Sequence, residues 1–158
     1  MTLFVKDRNG EYRIADRQEI LAAARSSVNQ LFKRGRKISH KADSIEFFQM
    51  KLAGQEKEVF AALYLDTPHR IIAYEELFVG TIDTCQVHPR EIVKRTLLHN
   101  AAAVIFGHNH PSGSEEPSLA DMKITERLKE ALQLIDVRVL DHIVVGKGAT
   151  SLAGRGLL

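Results

Sequence analysis

An α/β fold with a mixed β-sheet flanked by helices is the architecture this sequence predicts. Short β-rich apolar runs recur at residues 59–65, 71–78, 102–106 and 137–145. Segments with apolar residues at helical spacing lie between the later ones, at 89–100 and 118–133. Each of those helical segments opens on a start signal, Pro89 in one and Ser118 in the other. Strands interleaved with helices point to helices packed on the faces of a sheet.

Taken in order, residues 1–15 read as a short extended or hairpin start, with Asn9-Gly10 as the turn signal. Asp16 and Glu19 have capping-box spacing, and Ile20, Leu21, Ala24, Val28, Leu31 and Phe32 follow helically. The helix runs into a basic stretch, Lys33, Arg34, Arg36, Lys37, His40 and Lys41, with Gly35 as its stop. Such a stretch reads either as a solvated linker or as a contact for phosphate. A second helix is expected at residues 44–53, with Ile45, Phe48 and Leu52 on one side and Gly54 beyond its end. The chain therefore divides into an extension, residues 1–39, with one helix and a basic linker, and a main domain, residues 40–158.

In the main domain the apolar runs 59–65 and 71–78 suggest a hairpin turned at 66–70. Pro89 begins a helix carrying Ile92, Val93, Leu97 and Leu98 and ending near Asn100. The run 102–106 is short, continuous and apolar, as a central strand covered on both faces should be. A loop rich in Gly, Pro and Ser follows, and Ser118 then opens a long helix to about Gln133. Strands at 137–145 and near 150–152 complete the pattern.

Composition bounds the function. A chain of 158 residues, 44% hydrophobic and 27% charged, can bury a core of its own. No apolar run approaches the ~18 residues of a membrane span. The first residues carry scattered charges and no apolar core of a signal peptide, and the single cysteine, Cys85, permits no internal disulfide. Together these predict a cytoplasmic protein with no membrane partner. One cysteine also excludes a zinc site built from several thiolates of one chain. A buried structural thiol is the default reading of Cys85.

The chemistry concentrates in residues 107–121. His108 and His110, at i and i+2 of an extended segment, point to one side, and imidazole nitrogen suits zinc. A loop of seven residues, 111–117, returns the chain to a helix whose first turn contains Asp121, a position the helix dipole favours for a carboxylate. Two His and one Asp leave a fourth position for water, the arrangement of catalytic rather than structural zinc. Such a zinc activates the water for hydrolysis by lowering its pKa to about 7. Taken singly, Ser118-x-x-Asp121 is also an ordinary capping box, and Asn109, Pro111 and Gly113 are ordinary turn residues. The joint spacing His-x-His-x7-Ser-x-x-Asp is what carries the site.

That spacing resembles the signature of the JAMM (MPN-plus, JAB-domain) metalloprotease superfamily, whose fold is cytidine-deaminase-like. The bacterial RadC-like branch is matched further by Glu58-Val59-Phe60, Tyr64-Leu65-Asp66, Gly80-Thr81, His88-Pro89-Arg90-Glu91, His108-Asn109-His110-Pro111-Ser112-Gly113 and Leu140-Asp141-His142-Ile143, over roughly residues 40–158. The resemblance implies one zinc ion per chain held by His108, His110 and Asp121. It implies Ser118 as the group that stabilises the oxygen of a tetrahedral intermediate. It also implies an upstream glutamate as general acid/base. Glu58 matches best, just before its strand, with Glu75 and Glu76 as runners-up. The expected activity is a metallopeptidase or isopeptidase acting on a protein or peptide.

Longer RadC-like proteins carry a helix-hairpin-helix region of the kind associated with DNA. Residues 1–40 are too short for that unit. A DNA-associated accessory protein that uses residues 33–41 stays open as an alternative, as does a zinc-bound scaffold with little turnover. The string His108-Asn109-His110 is not the dispersed motif of HNH nucleases, and the His-x-Glu and Pro-Cys-x-x-Cys elements of zinc deaminases are missing. His142 reads either as a support for the metal site or as a satisfied core histidine. His88 reads as a helix-start residue, while His40, His69 and His99 read as surface. An exposed sheet edge or the N-terminal helix could support a dimer.

Overall fold

A computed structural model describes residues 2–7, 9–31, 33–80 and 87–158, without the side chains of 25, 28, 29 and 31. Cys85 and Thr81, both named above, lie outside the described residues, as does Phe32. The chain forms two compact units, Met1–Lys33 and Arg34–Leu158.

In the smaller unit, β1 (Phe4–Lys6) pairs antiparallel with β2 (Tyr12–Ile14). The Asp7 carboxylate closes the turn by accepting the amides of Asn9 and Glu11. Helix α1 (Arg17–Leu31) starts at the expected capping box: Asp16 Oδ1 accepts the Glu19 amide, and Glu19 Oε2 accepts the Asp16 amide.

The larger unit is a five-stranded sheet in the order β4-β3-β5-β6-β7, built from β3 (Val59–Leu65), β4 (Ile71–Val79), β5 (Ala103–Asn109), β6 (Arg138–Val145) and β7 (Ala149–Ser151). All pairs are antiparallel except β5 with β6, which are parallel. A parallel pair needs a crossover, and α4 (Leu119–Gln133) supplies it. Helix α3 (Pro89–Leu98) precedes β5. From α3 and α4, Ile92, Leu128 and Leu132 pack with Phe60, Ala62, Tyr64, Val104 and Phe106 into one core. Helix α2 (Lys41–Leu52) contacts β5, β6 and β7, and buries Phe47, Phe48 and Leu52. Every residue of β3 and β5 is buried, which is why both read as continuous apolar runs rather than as alternation.

The start of one helix and the end of one strand differ most from the sequence expectation. Helix α2 begins at Lys41, not at residue 44, because Asp43 Oδ2 accepts the amides of Ser39 and His40 and closes the first turn. Its buried face also includes Phe47, which the spacing argument passed over. Strand β5 continues through Gly107, His108 and Asn109 rather than stopping at 106, since those residues are paired on β6 and two of them on β3 as well.

Within the expected linker, the backbone of residues 35–38 is hydrogen-bonded to the β3–β4 turn. The Gly35 amide donates to Ile71 O, the Ile71 amide to Arg36 O, and the Ile38 amide to His69 O, at 2.8–2.9 Å. Those residues thereby belong to the larger unit. Among the described residues, no helix is long and apolar enough to cross a membrane.

Candidate metal centre

Strand β5 runs to the end of the sheet beside the N-terminus of α4, and the candidate site lies between them. His108 and Phe106 alternate onto the same face, so the imidazole of His108 emerges directly beyond the apolar core. His110, one residue past the strand, keeps that direction. Its amide donates to Val145 O at 2.8 Å, which extends the β5–β6 pairing by one step.

Three side chains converge there. Nε2 of His108 stands 3.0 Å from Nε2 of His110 and 3.3 Å from Asp121 Oδ1, and His110 Nε2 is 3.4 Å from Asp121 Oδ2. His108 is buried, while His110 and Asp121 are half-buried. Burial opposes ionisation of Asp121, but the imidazoles of His108 and His110 beside it outweigh burial and hold the carboxyl far below the usual carboxylate range. His110 is drawn upward, first by its hydrogen bond to Asp121.

The donor set suits a metal ion. Two ligands each ~2.1 Å from a tetrahedral zinc stand about 3.4 Å apart, close to the separations seen here. Two bare ring nitrogens at 3.0 Å repel each other unless a proton or a cation lies between them. The Ser114 carbonyl, 3.1 Å from His110 Nδ1, can only accept, so that ring nitrogen donates. In a neutral ring, Nε2 then turns a lone pair toward the site.

The loop that returns the chain from His110 to Ser118 is anchored elsewhere on the sheet. The Lys147 amide donates to Gly113 O, and the Gly148 amide to Glu115 Oε1. Gly146 permits this approach, because a Cβ there would fall 2.4 Å from Ser114 O. The carbonyl that orients His110 therefore depends on a glycine more than thirty residues away in the chain.

Ser118 and Asp121 also form the capping box the sequence suggested. Asp121 Oδ2 accepts from the Ser118 amide at 2.7 Å and from its hydroxyl at 2.6 Å, and Ser118 Oγ accepts the Asp121 amide at 3.1 Å. The carboxylate that caps α4 is also the one that faces the two imidazoles. In this arrangement the Ser118 hydroxyl is engaged by Asp121.

Glu58 is half-buried just before β3, and its charge acts on His110. The backbone on either side of it is held by Asn109, whose Oδ1 accepts the Val59 amide at 2.8 Å and whose Nδ2 donates to Lys57 O at 3.0 Å. Glu75 is turned to α3, with Oε1 2.9 Å from His99 Nε2, and Glu76 accepts from the Tyr74 hydroxyl at 3.2 Å. His99, expected at the surface, is half-buried against Tyr64 with ring centres 4.6 Å apart.

His142 is fully buried and belongs to the site: its Nε2 is 2.8 Å from His108 Nδ1, and its Nδ1 is 2.5 Å from Thr125 Oγ1. Burial pushes it well below the ordinary histidine value, so the ring is neutral. Sequence reasoning missed Thr125 altogether and read Asn109 only as a turn residue. A helical threonine four residues past Asp121 was the one local signal available for Thr125.

Comparison with known proteins places residues 38–157 in register with the family described as the RadC-like JAB domain. The chain is similar to a UPF0758 protein of Vibrio cholerae serotype O1, 49% identical over 158 residues and covering 100% of both chains. It is similar to a UPF0758 protein of Thioalkalivibrio sulfidiphilus, 50% identical over 94% of this chain and 67% of that one. A UPF0758 protein of Xanthomonas campestris is 56% identical over 78% of this chain and 55% of its own.

Proposed function

This chain belongs to the RadC-like JAB domain family, and from that premise we propose that it is a zinc-dependent metallopeptidase or isopeptidase. The observation that carries the reading is the convergence of two imidazole nitrogens and one carboxylate within 3.0–3.4 Å, at the edge of the core. His108, His110 and Asp121 are the ligands; zinc is the metal that favours such a mixed nitrogen and oxygen set in tetrahedral geometry. A zinc ion there supplies Lewis-acid polarisation of a carbonyl and a water acidified to near neutrality.

The protein's own groups supply the rest. Glu58 takes a proton from the attacking water at its carboxylate and delivers it to the leaving amine. What supports Glu58 over Glu75 and Glu76 is the clasp of Asn109 on its flanking backbone, its electrostatic reach to His110, and the engagement of the other two away from the ligands. Ser118 turns its hydroxyl from Asp121 Oδ2 toward the substrate oxygen as charge develops there. The substrate is a protein or peptide, met in the cytoplasm.

The test joins metal content to turnover. Purified protein should carry one zinc per chain by elemental mass spectrometry, and His108→Ala should lose it. Cleavage of a proteome-derived peptide library, read by mass spectrometry, should occur with the wild type and vanish in Glu58→Gln with zinc retained. Zinc content that is absent, or unchanged by His108→Ala, overturns the metal reading. A zinc-loaded protein that cleaves nothing replaces the hydrolase by a zinc-bound scaffold.

A further inference from the structure

Behind His108 runs a chain of hydrogen bonds that ends on the backbone of α4. Thr125 Oγ1 lies 2.5 Å from the carbonyl of Asp121, one helical turn back, and 2.5 Å from His142 Nδ1. His142 Nε2 lies 2.8 Å from His108 Nδ1. Thr125 and His142 are 2% and 0% exposed, so no solvent proton shares these contacts.

The polarity of the chain follows from its last member. A backbone carbonyl has no hydrogen to give, and two oxygens at 2.5 Å need one between them, so the Thr125 hydroxyl donates to Asp121 O. Having given its only hydrogen, Thr125 can only accept from His142, whose Nδ1 therefore carries a proton. A neutral imidazole has one N–H, which leaves His142 Nε2 as an acceptor. His108 Nδ1 must then donate to it, and the bare nitrogen of His108 is Nε2, the one that faces His110 and Asp121.

We infer that Thr125 and His142 are positioning residues that fix His108 in the tautomer able to ligate a metal. The inference rests on the metal reading of His108, His110 and Asp121, and it adds residues that contact neither the metal nor the substrate. The arrangement ties the site together, because Asp121 contributes its carboxylate to the ligand set and its backbone carbonyl to the chain that orients a second ligand. The two histidine ligands are thus oriented by different means. His110 leans on a loop carbonyl, Ser114 O, and His108 on a buried side-chain relay whose direction a helix carbonyl dictates.

The decisive measurement is the long-range proton–nitrogen correlation spectrum of the histidine rings in the metal-free, otherwise unaltered protein. His108 and His142 should both show a protonated Nδ1 and a bare Nε2. A protonated His108 Nε2 in that spectrum overturns the inference, whether or not the protein binds zinc. Thr125→Val should then disturb both tautomers and weaken zinc binding by about 10–100-fold in competition with a chromophoric chelator. Thr125→Ser, which retains the hydroxyl, should return spectrum and affinity to wild type. Thr125→Val with unchanged affinity and unchanged His108 tautomer also overturns it. Failure of the wild type to bind zinc would count against the proposed function, while the metal-free spectrum still decides the relay.

Discussion

Asn109 sits between the two candidate histidine ligands, and strand alternation turns it to the opposite side, where it is 3% exposed. On the β5 side, where strand pairing starts only at Phe60, its amide holds Lys57 O and the Val59 amide and so the backbone around Glu58. Truncation to alanine leaves a buried amide and a carbonyl without partners. Asn109→Ala should cost about 2–3 kcal/mol in urea unfolding. It should also lower turnover more than zinc affinity, since the ligands themselves keep their supports. Ser118 separates two functions in the reverse sense. Its side chain caps α4, and Ser118→Ala should cost about 1 kcal/mol of stability. Zinc stoichiometry should be kept, and turnover should fall if the hydroxyl serves the substrate oxygen.

At the level of elements, the close contact between β5 and α2 decides whether the strand can deliver its histidines. Gly107 lies over the Phe48 ring, and a Cβ built on it would overlap that ring outright. Phe48 is fully buried among Phe47 and Tyr74, with ring centres at 5.4 and 6.3 Å, so it has nowhere to retreat. Gly107→Ala should therefore destabilise by at least ~1–3 kcal/mol, as overpacked cores do. A circular dichroism melt would show it as a lowered midpoint. Because Gly107 adjoins His108, the same variant should bind zinc more weakly than wild type even well below its melting point.

For the molecule as a whole, a metal held only by the native state at this site would act as a staple across β5, the return loop and α4. Zinc at a hundredfold excess over its dissociation constant should add ~2.7 kcal/mol of stability. The melting temperature should rise with zinc, fall on chelation, and in His108→Ala respond to neither. An equal response in that variant would mean that zinc acts elsewhere. The relatives frame the scale of the unit. The chain matches the Vibrio cholerae protein from end to end, whereas it spans about half of the Xanthomonas campestris one.

The amino-acid sequence alone determined the candidate ligand set and the order of elements, and both for local reasons. Alternation in an extended segment puts His108 and His110 on one side, and a capping box puts Asp121 in the first turn of the next helix. The apolar runs of β3 and β5 announce burial on both faces, and Asp16 with Glu19 announces the start of α1. Where local chemistry competes, the elements depart from that pattern: Asp43 closes the first turn of α2 at Lys41, and strand pairing carries β5 past its apolar run through His108. Only the tertiary structure decided what stands behind these candidate ligands. His142 reaches His108 across 34 residues, and Asn109 reaches Val59 across 50. Periodicity reports which face a side chain takes, but not which strand or helix it meets there. Register and crossover set that, and through them a threonine of α4 comes to govern a histidine of β5.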